Sequence, residues 1–232
     1  MLTANPKRWR KTIKGVNRKP LTVYRQLYNA FGPQHWWPAD SPFEVIVGAI
    51  LTQQTSWKNA ALAIESLKRT KLLSPRAILK TSDPKLQMTI RSSGYYKQKA
   101  KKLKIFCRFF LKEYKGSIKK MRSSPISHLR SQLLSIWGIG HETADSILLY
   151  ALDKPIFVVD AYTIRIGERV GLFKSGGYEH VRHYFESHLP RSVPLFKEYH
   201  ALLVELGKRY CRTKPLCNGC PLNDGCRLRK ST

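Results

Sequence analysis

Four of the five cysteines crowd into the run CRTKPLCNGCPLNDGC, where Cys211, Cys217, Cys220 and Cys226 stand as C-x5-C-x2-C-x5-C. Four thiolates in so short a loop can enclose one iron–sulfur cubane or one zinc, and spacing alone does not choose between them. Disulfides are the remoter reading, because a secreted scaffold disperses an even set of cysteines, whereas here Cys107 stands apart from a single cluster. Lys208, Arg209, Arg212, Lys214, Arg227, Arg229 and Lys230 surround the loop and suit a phosphate backbone.

A second group lies in WGIGHETADSILLYALDKPIFVVDAYTIRI. Gly138 to Gly140 is too tight for a Walker loop, and no Gly-Lys-Ser/Thr follows. The pattern instead reads as a helix ending at Gly138, Ile139 plugging a turn, Gly140 permitting close approach, and a second helix starting near Glu142 and Thr143. The unpaired N–H groups that open such a helix can hold a phosphate without reading sequence, with Gly138, Ile139, Gly140, His141 and Thr143 at the contact. An ordinary helix stop followed by a helix start is the plainer alternative. Asp160 ends the apolar run PIFVV at an N-cap position, so capping is its plain role. A carboxylate beyond a phosphate-binding turn can also face the sugar of a bound nucleotide, and the two roles are compatible.

These groups need a frame, and the frame reads as helical. Apolar residues recur with helical period in windows 43–54, 60–73, 99–114, 128–137, 143–152 and 199–211, with no period-two alternation. Pro75 and Pro84 sit near helix starts, and Gly94 precedes another. About ten short helices and an all-α fold follow. The 232 residues carry 42 Lys and Arg against 15 Asp and Glu, net +27, spread along the chain, so a polyanion is the natural partner and a membrane surface the lesser one. No apolar run is long enough to span a membrane, and the basic N-terminus lacks the apolar core of a secretory signal, so a cytoplasmic, nucleoid-associated protein is expected.

Taken together, WGIGHETADSILLYALDKPIFVVDAYTIRI, FEVIVGAILTQQTSWKNA, SGYYKQKAKKL and the cysteine run resemble the signatures of the endonuclease III, or helix-hairpin-helix-GPD, superfamily of DNA glycosylases. The resemblance implies two helical lobes with DNA across the cleft: a six-helix barrel of residues 36–153, and a lobe of residues 1–35 and 154–232 ending in the cluster loop. It implies a monomer acting on double-stranded DNA that carries a damaged base, with no membrane partner. A glycosylase must flip a nucleotide out and fill the gap. By resemblance Gln54 and Tyr95 do the filling, unless they are turn or surface residues. Asp160 is the catalytic carboxylate that stabilises positive charge on the sugar.

Relatives that also cut the strand use a lysine amine to form a Schiff base. Aligned on the glycine turn, that position holds Glu142, which cannot form the imine, so a water-using, monofunctional enzyme is favoured. Lys97, Lys99 or Lys154 are the substitutes to exclude. The wording G-x-E-[ST]-A-D, with HWWPADSPFEVIVGAILTQQTSW, is most similar to the 3-methyladenine DNA glycosylase branch, which implies an alkylated purine held by aromatic stacking on Trp36 and Trp37, with Trp57 behind. A purely structural role in the core is the alternative for these tryptophans. The resemblance also favours [4Fe–4S] over zinc, although the first cysteine spacer is one residue shorter than in the family. The rivals are an endonuclease III-like glycosylase and lyase for oxidised pyrimidines, and a non-catalytic DNA-binding protein.

Overall fold

The computed structural model describes residues 19–228; the basic segment before Lys19, and Arg229 and Lys230, lie outside them. Among the described residues the chain forms α-helices and no strand, as the apolar period requires. In order these are α1 (Pro20–Phe31), α2 (Pro42–Leu51), α3 (Trp57–Arg69), α4 (Pro75–Lys80), α5 (Asp83–Thr89) and α6 (Tyr96–Tyr114). There follow α7 (Ile118–Ser123), α8 (Ile126–Ser135), α9 (His141–Ser146), α10 (Ala161–Val170), α11 (Tyr178–His188) and α12 (Val193–Arg209). Local chemistry sets several starts. Ser41, Ser56 and Ser74 cap α2, α3 and α4 by accepting the N–H of Glu44, Asn59 and Ala77. Proline occupies the first turn of α1, α2, α4 and α5, where its missing N–H costs nothing.

The chain divides into two compact units. The larger comprises residues 34–160 and 190–201; the smaller comprises 161–189, 202–228 and the described residues up to Pro33. Segments 154–160 and 190–201 thus pack with the larger unit and not, as the expected boundaries have it, with the terminal segments. The reason is burial: Ile156, Phe157, Val158 and Val159 are core residues, and the first half of α12 brings in the buried Phe196, Tyr199 and His200.

The larger unit is built round α2. Every residue from Phe43 to Leu51 is buried, the pattern of a helix covered on all sides. It packs on α3, α6 and the π-helical turn Ile147–Ala151 that continues α9. Its one buried acid, Glu44, is paired with Lys68 at 2.7 Å. Where α2 ends, Lys99 reaches in from α6: its ammonium is buried and donates to the carbonyls of Leu51 at 2.9 Å and Ser93 at 2.6 Å. Burial, with Lys102 nearby, brings the Lys99 pKa down to about 8. In the smaller unit α1 packs on α11, and α10 carries two arginines toward the cysteine loop. No helix among the described residues is long and apolar enough to cross a membrane.

Candidate active site

Asp160 ends the buried run Ile156–Val159 and stands immediately before α10, with its side chain 11% exposed. Its Oδ2 lies 3.6 Å from Nε2 of His200, on α12. Glu142, the second residue of α9, completes the group. Glu142 is a solvent-exposed residue, yet its pKa is raised, first by desolvation of the carboxyl and then by the negative charge of Asp160, with His200 opposing. His200 Nδ1 lies 2.8 Å from the hydroxyl of Tyr150, which is also 3.2 Å from the Lys197 carbonyl. Tyr150 sits in the π turn that extends α9, and its phenol is held far above its ordinary pKa, by burial first and then by the charges of Asp160 and Glu198.

Aromatic rings stand beside these groups. Trp36 lies 5.6 Å from the His200 ring and meets Tyr150 edge-on at 6.0 Å between centroids. Trp37 is 5.3 Å from Tyr150, 5.7 Å from Trp36 and edge-on to Trp57 at 5.2 Å. Trp37 can lie this close to α2 because residue 48 is glycine; a Cβ there would sit 3.2 Å from the indole. The structure therefore gathers all three tryptophans of the sequence reading, each partly exposed, with Trp36 next to Asp160's partner His200.

The glycine turn is held by one side chain. Gln53 Nε2 donates to the Gly138 carbonyl at 3.0 Å and to Thr143 Oγ1 at 2.9 Å, while its Oε1 accepts from Lys102 Nζ. Because lysine can only donate, the amide orientation is determined. Ile139 is buried and plugs the turn as expected, whereas the hydroxyl of Thr143 faces inward to Gln53. His141 is exposed, with Nδ1 3.2 Å from Arg130, whose guanidinium grips the fully buried Asp145 through both oxygens at 2.7 and 3.1 Å. The two glycines differ. Gly138 has φ +83° and a Cβ there would meet Lys102 at 2.6 Å; Gly140 has an ordinary φ and open space around it. Gln54 and Tyr95 are both exposed with positive φ, Tyr95 at 65% exposure, at the turns that follow α2 and precede α6. Of the substitute lysines, Lys99 is consumed by two carbonyls, Lys97 is exposed on α6, and Lys154 is partly buried beyond the π turn.

In the smaller unit the cysteine loop is tied to α10. Arg165 donates to the Cys211 carbonyl at 2.8 Å; Arg169 donates to Cys211 Sγ at 3.4 Å and to the Arg212 carbonyl at 2.6 Å. The Cys220 thiol has its pKa raised by burial above all, and the three other cysteines push it the same way. The four sulfurs therefore lie within electrostatic reach of one another. Among the described residues, however, no three His, Cys, Asp or Glu side chains converge on one point as a single metal ion requires.

His200, Tyr150, Gln53 and Lys102 were not singled out from the sequence. Gln53 adjoins Gln54 in the LTQQT run, which was the available signal; His200 had none, being one residue of a regular amphipathic helix.

Residues 47–191 match the model of the family described as HhH-GPD superfamily base excision DNA repair protein. A Methanocaldococcus jannaschii protein provisionally named a DNA repair glycosylase is 47% identical over 207 residues, 88% of this chain and 94% of its own. Endonuclease III of Thermotoga maritima is 29% identical over 203 residues, 87% of this chain and 89% of its own. Among solved structures, the H. pylori 3-methyladenine DNA glycosylase bound to 1,N6-ethenoadenine superposes with a TM-score of 0.74 at 26% identity, covering 83% of this chain and 98% of that one.

The glycine geometry makes a prediction about folding. Gly138→Ala forces a left-handed residue and displaces Lys102, so it lowers the unfolding free energy by about 1–3 kcal/mol, whereas Gly140→Ala changes it by less than about 0.5 kcal/mol. Denaturant titration of both variants measures the difference; equal effects would contradict the assigned roles.

Proposed function

The chain belongs to the HhH-GPD superfamily of base excision DNA repair proteins and is a DNA repair glycosylase; we propose that it excises an alkylated purine from duplex DNA by hydrolysis, acting as a monomer. The observation that carries this reading is the juxtaposition of a carboxylate pair, Asp160 and Glu142, with the rings of Trp36, Trp37 and Tyr150. Alkylated purines such as 3-methyladenine are electron-poor and often cationic, and aromatic faces attract such bases. The H. pylori relative, whose named substrate is 3-methyladenine, supports the same class.

In this mechanism Gln54 and Tyr95 fill the stack vacated by the flipped nucleotide. Backbone groups of the 138–143 turn hold a phosphate, and exposed basic residues such as Lys101, which lies over the half-exposed Trp137 at 4.5 Å, add sequence-independent affinity. Asp160, ionised, stabilises the positive charge that builds on the sugar as the base departs. Glu142 stands where strand-cutting relatives have their lysine, and a carboxyl group cannot form the imine. Desolvation and the charge of Asp160 both raise the Glu142 pKa, so the two carboxyls oppose each other's ionisation.

The four cysteines are proposed to hold a [4Fe–4S] cluster of structural role. A zinc needs its sulfurs at about 2.3 Å from one centre, and a cubane, with its irons at separate corners, accepts them further apart. The soft thiolate donors and the likeness of the cysteine run to the family's cluster loop favour the cubane. Anaerobically purified protein is then brown with about four irons per chain; a colourless protein with one zinc would refute the assignment.

The reading is tested by Asp160→Asn. The variant keeps its affinity for a duplex carrying an alkylated purine and loses on the order of 4 kcal/mol of transition-state stabilisation, about a thousandfold in single-turnover excision. Full activity in the variant would return Asp160 to the role of a helix cap.

A further inference from the structure

Trp137 leads into the glycine turn, and it is the open one among the described tryptophans: it is 49% exposed, whereas Trp36, Trp37 and Trp57 are each more enclosed. Two consecutive lysines of α6 meet two consecutive residues there and do opposite things. The stem of Lys102 lies across Gly138, where an added Cβ would come within 2.6, 2.8 and 2.9 Å of three of its carbons. Its ammonium turns inward to Gln53, and burial lowers its pKa. The Lys101 ammonium instead stays at the surface, 4.5 Å from the centroid of the Trp137 ring and over its face. A cation over one face of an indole is attracted by the ring's electrons, which fixes how the ring is presented. Lys97, one helical turn before Lys101 on the same face of α6, is also exposed, and neither lysine has an acidic partner among the described residues. Past the ring the surface stays open: Gly140 and His141 are exposed, and a Cβ on Gly140 would meet nothing within 4 Å.

The ring therefore has a backbone turn beside it in the chain and an ammonium over one face. A DNA strand alternates phosphate and deoxyribose, and the sugar offers apolar C–H edges between two negative charges. The chemistry of the two surfaces matches, with N–H groups and an ammonium for phosphates and a ring for the sugar that joins them. The bases of a duplex keep their faces within the stack, so the sugar is what this ring can reach. We propose that Trp137 and Lys101 form a nucleotide contact on duplex DNA next to the glycine turn: the ring packs on one deoxyribose, and Lys101 takes a phosphate attached to it. The proposal rests on the reading of the turn as a phosphate contact.

The two halves of the contact differ in their physics. A ring on a sugar removes apolar surface from water, which depends little on salt. An ammonium on a phosphate releases a counterion, so its contribution falls as salt rises. Neither half touches a base edge, and the contact adds affinity without choosing sequence.

The experiment measures binding to an undamaged duplex, and to one of its strands alone, against salt concentration. It compares wild type with Trp137→Ala, Trp137→Gln, Trp137→Phe and Lys101→Ala, with the melting temperature of each recorded. Trp137→Ala should bind the duplex roughly tenfold more weakly at every salt concentration, with the slope of log affinity on log salt unchanged. Trp137→Phe, which keeps a ring, should recover most of that loss. Lys101→Ala should reduce the slope by about one. Trp137→Gln keeps bulk without a ring and should share the loss, so it decides the matter if Trp137→Ala fails to fold. Wild-type affinity in either folded variant would overturn the proposal. So would a loss that comes with a shallower slope, which would make the ring a support for Lys101 alone, or a loss confined to the single strand, which would make it a platform for an unpaired base. In each of these cases wild-type binding to the duplex leaves the phosphate reading of the turn standing. A wild type that does not bind duplex at low salt would refute that reading, and the proposal with it.

Discussion

The larger unit turns on the side-chain amide of Gln53. Its three hydrogen bonds join the end of α2, the start of α6 through Lys102, and both sides of the 138–143 turn. Each partner is fixed by something else. Gly138 adopts a backbone angle that excludes a side chain where Lys102 passes, and Lys99, one helical turn from Lys102, closes the end of α2 from the same helix. On the near side of this lock Gln54 is left exposed in a left-handed turn; on the far side α9 brings Glu142 within electrostatic reach of Asp160. An exposed glutamine and a carboxyl within electrostatic reach of Asp160 are thus referred to one amide.

The second organising feature is the placement of negative charge in a chain of net +27. Many of the acids described are matched to bases: Asp145 with Arg130, Glu44 with Lys68, Asp153 with Arg122 and Lys197. Asp160 and Glu142 lie within electrostatic reach of each other, with the His200 ring 3.6 Å from Asp160. On the proposed mechanism, this arrangement leaves the basic residues for phosphates and puts acidic groups where positive charge would develop on the sugar.

Much of the fold was legible because it rests on local physics. The 3.6-residue apolar period, the prolines at Pro75 and Pro84 and the glycine before α6 mark helices that the structure contains. Asp160 was legible as the polar end of an apolar run, and Gly138 as a turn that only glycine tolerates. What was not legible depended on contacts far apart in sequence. His200 is one position on a regular helix, and nothing local links it to Tyr150. Tyr150 in turn reads as one more apolar position, since the π turn that holds it uses the same buried residues an α-helix would. Thr143 was read as part of the outward face of the turn, yet its hydroxyl is drawn inward by Gln53. The unit boundaries moved for the same reason: residues 190–201 contribute rings and an imidazole whose partners, Phe157 and Tyr150, lie some forty or fifty residues earlier.

The central claim is that water, and not a lysine amine, displaces the base. Borohydride trapping on a duplex carrying an alkylated purine tests it most directly, because an imine is reduced to a permanent link and a hydrolytic intermediate is not. The wild-type protein should yield no covalent complex, and its product strand should stay intact until alkali breaks it at the abasic site. Efficient trapping of the wild type, with strand scission before alkali, would contradict the claim and make the enzyme a glycosylase and lyase.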